Sequence, residues 1–190
     1  MATASLERRR ALVLDRDGVV NEDSGYLHRI EDCRFVEGIF ALTQAFARRH
    51  FAILIITNQS GIGRGLYGEP DFARLMAWMA NEFARRGVPI AGVYHCSDRP
   101  GAVPADEWRG HRRRKPGPGM LLEAAADLSL DLARSWNVGD RPSDIEAGRA
   151  AGVGTLVRYD PAVLEVAREG DLWTVPRLAE VAGLLAAQEG

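Results

Sequence analysis

Cysteine is scarce in this 190-residue chain: Cys33 and Cys96 are its two thiols, too few for a disulfide framework. Charge of either sign is nearly balanced, with 24 Lys and Arg against 26 Asp and Glu for a net charge of −2. No global field therefore draws the chain to nucleic acid or to a membrane surface. No apolar run approaches the roughly 20 residues that span a bilayer. Residues 1–10 are small, polar and basic and lack the apolar stretch of a secretory signal. These absences exclude a disulfide scaffold and a membrane span, and the expected compartment is the cytoplasm.

What is present is ordinary for a globular protein, at 46% hydrophobic and 26% charged residues. The length suits a single domain over residues 1–190, with residues 1–10 expected as a flexible tail. Strand and helix signals alternate. Ala11–Leu14 is a short continuous apolar run, and residues 51–57 (Phe-Ala-Ile-Leu-Ile-Ile-Thr) are the densest strand signal. Between them Ile39, Leu42 and Phe46 stand at helical spacing. A Gly-rich loop follows Thr57. Then Phe72, Leu75, Met76, Met79 and Phe83 keep the helical period over about residues 70–86, with Pro70 suited to a first turn.

Ile90–Cys96 reads as a third strand and residues 97–118 as a long loop rich in Pro, Gly and Arg. Gly119–Leu128 and residues 143–151 read as helices, and residues 135–138 and 155–157 as strands. A short strand near Trp173 and a helix over about residues 176–187 complete the pattern. The alternation predicts an α/β fold, a Rossmann-like parallel sheet with helices on both faces. In such sheets ligands bind beyond the carboxyl ends of the strands.

The polar segments fall at those ends. Asp15-Arg16-Asp17-Gly18 follows the first strand. Carboxylates two residues apart point the same way from a strand unless the chain turns, and packing two anions together calls for a cation or a shared proton. Thr57-Asn58-Gln59-Ser60 ends the second strand, Arg114-Lys115-Pro116 precedes a helix, and Gly139-Asp140-Arg141-Pro142-Ser143-Asp144 ends the fourth strand. Singly, each also reads as a cap, a turn or a solvated charge. Four in this order are improbable as coincidence.

Together they resemble the four motifs of the haloacid dehalogenase (HAD) superfamily: Asp-x-Asp-Gly, a strand-ending Thr, a Lys, and Gly-Asp-x3-Asp. The resemblance spans residues 12–155. It implies the HAD fold and a magnesium-dependent phosphatase, with Asp15 as nucleophile and Asp17 as general acid and base. It implies Thr57 and Lys115 on the transferring phosphoryl oxygens, and Mg²⁺ on Asp15, the backbone carbonyl of Asp17, and Asp140. The gaps between motifs are too short for a large cap domain, leaving residues 19–36 and 97–114 as the loops that could cover the site. Asp144 reads equally as the holder of a magnesium-bound water and as a helix cap. The chemistry is coherent. A carboxylate nucleophile splits hydrolysis into two easier steps, and Mg²⁺ favours carboxylate and phosphate oxygens.

The finer pattern resembles the heptose bisphosphate and histidinol phosphate phosphatase branch. It does so at Asn21-Glu22-Asp23-Ser24-Gly25-Tyr26, from Thr57 to Gly65, and at Arg114-Lys115-Pro116. This implies that Asp23, Ser24, Gly25, Tyr26, Asn58, Gln59, Ser60, Arg64 and Arg114 meet a small phosphorylated sugar, with Arg141 near the phosphate. Ser60 and Arg64 match the heptose side of the branch, and a guanidinium fork suits a second phosphate. The branch usually carries a zinc loop, Cys-x-His and then Cys-x-Cys. Those positions here hold Cys96, Asp98, His111 and Arg113.

Cys96, Asp98 and His111 remain candidate ligands, but arginine stays protonated and cannot ligate. Zinc is therefore not expected, and a salt bridge from Asp98 to Arg112 or Arg113 is the expected substitute. Histidinol phosphatase or another small polyol phosphatase is the alternative enzyme. A phosphotransferase normally needs a large cap to exclude water. A non-catalytic scaffold of the same fold is the alternative class, against which intact Asp15, Asp17, Thr57, Lys115 and Asp140 weigh. No nucleic-acid or membrane partner is expected, and a monomer is favoured.

Overall fold

The structure is a computed structural model that describes residues 8–99 and 113–189. Alternating side chains along β1 (Ala11–Leu14) and β2 (Ala52–Asn58) send Leu12, Leu14, Ile53 and Ile55 into one buried cluster. Ala11, Val13, Leu54 and Ile56 enter another. A strand that is apolar on both sides needs cover on both sides. The two strands pair in parallel, Leu12 beside Ile53 and Leu14 beside Ile55, so the chain must cross over between them. The crossover is α1 (Ile39–Ala47), which buries Ile39, Leu42 and Phe46.

The chain continues through α2 (Ser60–Gly63) and α3 (Glu69–Ala84) to β3 (Ile90–Cys96), parallel to β2. It then returns to the other side of β1 by α4 (Gly119–Leu128) and β4 (Trp136–Gly139), and proceeds through α5 (Pro142–Ala150) to β5 (Thr155–Tyr159). The hairpin of β6 (Ala167–Glu169) and β7 (Leu172–Val175) and then α6 (Leu178–Glu189) follow. The sheet order is β3-β2-β1-β4-β5-β7-β6, with only the β6–β7 pair antiparallel. Side chains of α1, α3 and α6 fill one buried cluster and those of α4 and α5 the other.

Between β1 and β4 the strand order reverses, and in open α/β sheets that switch point opens a crevice for ligands. Asp15 follows β1 and Asp140 follows β4, so the two motifs meet there. The expected fold class is the one found. The departures are local. Ser60–Gly63 forms a helical turn where a Gly-rich loop was expected, and β6 is an edge strand of three exposed residues with no apolar alternation to announce it. Of the segment 1–10 expected as a tail, residues 1–7 lie outside the described residues. Arg9 is tied to α4's far end, its N–H donating to the Ser129 carbonyl at 3.0 Å and its carbonyl accepting from Asp131 N–H at 2.8 Å.

Among the described residues no helix is long and apolar enough to cross a membrane. Residues 19–36 carry only isolated bridges, among them Asn21 with Phe35. Most of the second covering loop lies outside the described residues.

Phe46 joins α1 to the sheet through edge contacts with Phe51 and Trp136 at 5.0 and 5.3 Å between centroids. Phe46→Ala should cost about 3–5 kcal/mol of unfolding free energy, read from denaturant melts. A loss below about 1 kcal/mol would show that this junction does not hold the layers together.

Candidate active site

The site is built from the centre of the sheet outward. Backbone pairing fixes Asp15, whose N–H donates to the Val138 carbonyl at 3.0 Å. Its buried carboxylate accepts from Lys115 Nζ at 2.7 Å. The same ammonium lies 2.6 Å from Asp144 Oδ1 and donates to the Ile56 carbonyl at 2.9 Å. All three of its N–H donors are thus engaged. Lys115 reaches this point because Asn58, the last residue of β2, clamps its backbone. The Asn58 amide donates to the Lys115 carbonyl, and its oxygen accepts from Lys115 N–H, both at 3.0 Å. Burial opposes the Lys115 charge, but Asp15 and Asp144 outweigh it and raise its pKa.

Asp15, Asp140 and Asp144 each offer an oxygen, and the three oxygens lie within 4.8 Å of one another. Glycine makes this crowding feasible. Gly18 has φ +93°, and a Cβ there would stand 2.4 Å from Asp140 Oδ2; at Gly139 a Cβ would stand 2.2 Å from the Asp144 Cβ. Three carboxylates against one ammonium leave two negative charges, the complement of one divalent cation. Burial pushes Asp15 up to about 7, opposed by Lys115 and reinforced by Asp144. Burial likewise pushes Asp140 up to about 6, with Asp144 reinforcing and Arg141 opposing. Asp140 Oδ1 is buried without a hydrogen-bond partner. An all-oxygen set with an unused lone pair and surplus negative charge fits Mg²⁺.

Asp144 combines two tasks. Its Oδ2 caps α5 by accepting from Arg141 N–H at 3.0 Å, while Oδ1 faces Lys115. The Asp17 carboxylate stands outside the metal cluster. Arg16 donates to it from Nε at 3.0 Å and from Nη2 at 2.7 and 2.8 Å. Asn21 adds a donor at 3.0 Å and Gln59 one at 2.9 Å. Gln59 also donates to Thr57 Oγ1 at 2.7 Å and accepts from Tyr67 Oη at 2.5 Å. Gln59, expected on the substrate, is therefore occupied by Asp17, Thr57 and Tyr67. Asn58 is occupied by Lys115. Sequence reasoning missed Arg16 and Tyr67, since neither type nor spacing marks a residue that works through a neighbour.

A cavity of about 480 Å³ opens above these groups. Asp15, Asp17, Asp23, Gly25, Tyr26, Thr57, Asn58, Gln59, Ser60, Arg114, Lys115 and Arg141 all line it. Ser24 and Arg64 are exposed outside that lining. Asp23 accepts from Gly25 N–H at 3.0 Å, which shapes the turn presenting Tyr26, and from Arg141 at 2.7 Å across the cavity mouth. Arg114 Nη1 donates to the Asp98 carbonyl at 2.7 Å. Burial lowers the Arg114 pKa, Cys96 and Asp98 oppose this, and nearby Arg64 adds to it. Of the zinc-loop positions, Cys96 is buried and His111 lies outside the described residues, as does Arg112, one of the two partners expected for Asp98. Arg113 pairs with Glu123 of α4 at 2.5 Å and donates to the His95 carbonyl at 2.9 Å. That pair ties down the stem of the loop.

Residues 112–180 match the HAD-hydrolase-like family model. The chain is 50% identical to the D-glycero-alpha-D-manno-heptose-1,7-bisphosphate 7-phosphatase of Burkholderia mallei, over 79% of each chain. It is 39% identical to the D-glycero-beta-D-manno-heptose-1,7-bisphosphate 7-phosphatase of Yersinia pestis, over 90% of this chain and 92% of the other. The D,D-heptose 1,7-bisphosphate phosphatase of B. bronchiseptica, crystallised with magnesium and phosphate, superposes with a TM-score of 0.79. It is 25% identical, and the match covers 94% of this chain and 99% of that one.

The raised pKa values of Asp15 and Asp140 give cation binding a definite pH dependence. Both acids retain protons below about pH 7 and pH 6, and a cation must displace them. Mg²⁺ affinity should therefore fall as pH drops from about 8 to 5, up to about tenfold per unit for each proton displaced. Titration calorimetry in buffers of different ionisation enthalpy should detect the released protons. Constant affinity over that range would contradict the assignment.

Proposed function

The chain belongs to the HAD-superfamily heptose-1,7-bisphosphate 7-phosphatases, and from that membership and the site geometry we propose that it is a magnesium-dependent phosphomonoesterase that removes the 7-phosphate of D-glycero-D-manno-heptose 1,7-bisphosphate. The observation that carries the chemistry is the buried Asp15–Lys115 pair beside Asp140 and Asp144, at the floor of a cavity open to solvent. Its carboxylate is aimed, its charge is held, and one divalent cation completes the balance.

In this mechanism Asp15 attacks the phosphorus of the bound monoester. The bond to the sugar oxygen breaks, and Asp17 gives that oxygen its proton. The aspartyl-phosphate is then hydrolysed. Asp17 takes a proton from water, the water oxygen bonds to phosphorus, and Asp15 leaves as a free carboxylate. Both Asp17 oxygens accept hydrogen bonds, which hold the carboxyl group in place for both steps. The Thr57 hydroxyl orients a phosphoryl oxygen, and the Lys115 charge beside Asp15 offsets the phosphoryl charge during both steps. Mg²⁺ held by Asp15, Asp140 and the backbone carbonyl of Asp17, with Asp144 adjacent, would supply Lewis-acid stabilisation of the phosphoryl charge.

The substrate follows from the cavity walls. Arg114 and Arg141 are cations at the mouth, beyond the reacting group, where a second phosphate would sit. Tyr26 and Asp23 offer a ring face and hydrogen bonds to a sugar. The named relatives divide between the alpha and beta anomers, so both belong in the test.

Asp15→Asn should reduce phosphate release to less than about 1% of wild type, because an amide is a poor nucleophile. Among heptose bisphosphate, histidinol phosphate, hexose phosphate and glycerol phosphate, the heptose bisphosphate should have the highest kcat/KM. A preference for histidinol phosphate would overturn the substrate reading and leave the phosphatase reading standing. Arg114→Ala should lower kcat/KM for the bisphosphate about 100-fold and for an aryl phosphate less than about threefold, since it touches the substrate away from the reacting group. Equal losses would place Arg114 in the catalytic centre instead.

A further inference from the structure

We propose that Arg16 is a positioning residue for the acid–base chemistry, acting through Asp17; the proposal rests on the acid–base role assigned to Asp17 above. Among the described residues Arg16 is the largest of the wholly buried side chains. Neighbours on a strand point to opposite sides, so Arg16 reaches Asp17 only because the chain turns. Its carbonyl closes that turn, accepting from Val20 N–H at 2.8 Å and Asn21 N–H at 3.0 Å. The guanidinium grips both Asp17 oxygens through Nε and Nη2, at 2.7 to 3.0 Å. Behind it, Nη2 also donates to the Leu27 carbonyl at 3.1 Å, and the Phe72 ring of α3 lies 5.7 Å away.

Two features separate this from a structural ion pair. A pair kept for stability alone is often matched or bettered by apolar side chains of similar volume. This one leaves Nη1 buried with no partner, so the group is placed by its grip on Asp17 and not by its own satisfaction. The pair is also lopsided: Arg16 is 0% and Asp17 22% exposed. The fork anchors the carboxylate from the protein side while its outer edge faces the cavity. An aspartate at a turn has a side chain free to rotate, and a planar fork removes that freedom as a single donor does not. Proton transfer in both steps needs Asp17 within hydrogen-bond reach of the reacting oxygen.

The test uses the full chain loaded with Mg²⁺ and compares first-turnover alcohol release from the heptose bisphosphate and from an aryl phosphate. The sugar oxygen needs a proton on leaving and the aryl oxygen does not. Arg16→Lys keeps the charge and removes the fork. It should slow first-turnover sugar release by about 100-fold and aryl release by less than about threefold. Asp17→Asn should show the same split, and adding Arg16→Lys to it should slow the reaction no further. Should Arg16→Lys not fold, Arg16→Met joined to Asp17→Asn leaves neither charge buried alone and is compared with Asp17→Asn in the same way. Additive losses in either double variant, or equal losses on the two leaving groups, would overturn the role of Arg16 while the reading of Asp17 stands. Asp17→Asn without the split would remove that reading, and this proposal with it.

Discussion

The buried ammonium of Lys115 is the interaction on which the rest of the site depends. It stands 2.7 Å from Asp15 and 2.6 Å from Asp144, in a place where an uncompensated charge would cost several kcal/mol. One cation cannot balance three carboxylates. The structure concentrates negative charge at the reacting end of β1 and leaves two units of it for a divalent ion. Asp17 is kept out of that count by Arg16. The four acidic groups are thereby divided into three beside Lys115 and one paired with Arg16, a division that suits the proposed nucleophile and acid–base roles.

The fold supplies this arrangement through one topological feature. Because β1 lies between β2 and β4, its carboxyl end is flanked by the ends of both neighbours. Thr57, Asn58 and Gln59 come from one side, and Asp140 with Asp144 from the other. Each side chain is then fixed by a second contact. Asn58 holds the Lys115 backbone, Gln59 joins Thr57 to Asp17, and the cap of α5 holds Asp144. Gly18 and Gly139 allow the approach that side chains there would forbid. The far wall of the cavity is built differently: Asp23, Gly25 and Tyr26 come from a loop and Arg141 from the N-cap of α5.

Much of this was legible in the sequence, for physical reasons. Ala11–Leu14 and residues 51–56 are apolar without interruption, as expected of short strands covered on both faces. The order of the motifs placed Asp15, Thr57 and Asp140 at strand ends, and Lys115 just before a helix, before any coordinates. What was not legible depends on direction. Asn58 and Gln59 line the cavity as expected, but the hydrogen bonds that also commit them to Lys115, Asp17, Thr57 and Tyr67 carry no sequence signal. Arg16 occupies the variable place of its motif, and only the turn at Gly18 brings it onto Asp17. β6 is short and exposed, so no periodicity marked it. Arg113 pairs with Glu123 ten residues along, a partner that the zinc-loop comparison gave no reason to choose.

In the proposed reaction Asp15 itself carries the phosphoryl group. Acid quenching during turnover of the Mg²⁺-loaded protein, followed by peptide mass spectrometry, tests it directly. The expected result is one acid-stable, hydroxylamine-sensitive acyl phosphate on the peptide containing Asp15, formed and lost at the rate of turnover. A phosphoryl group on a different residue, or full turnover with no covalent species under conditions that slow its hydrolysis, would contradict the account.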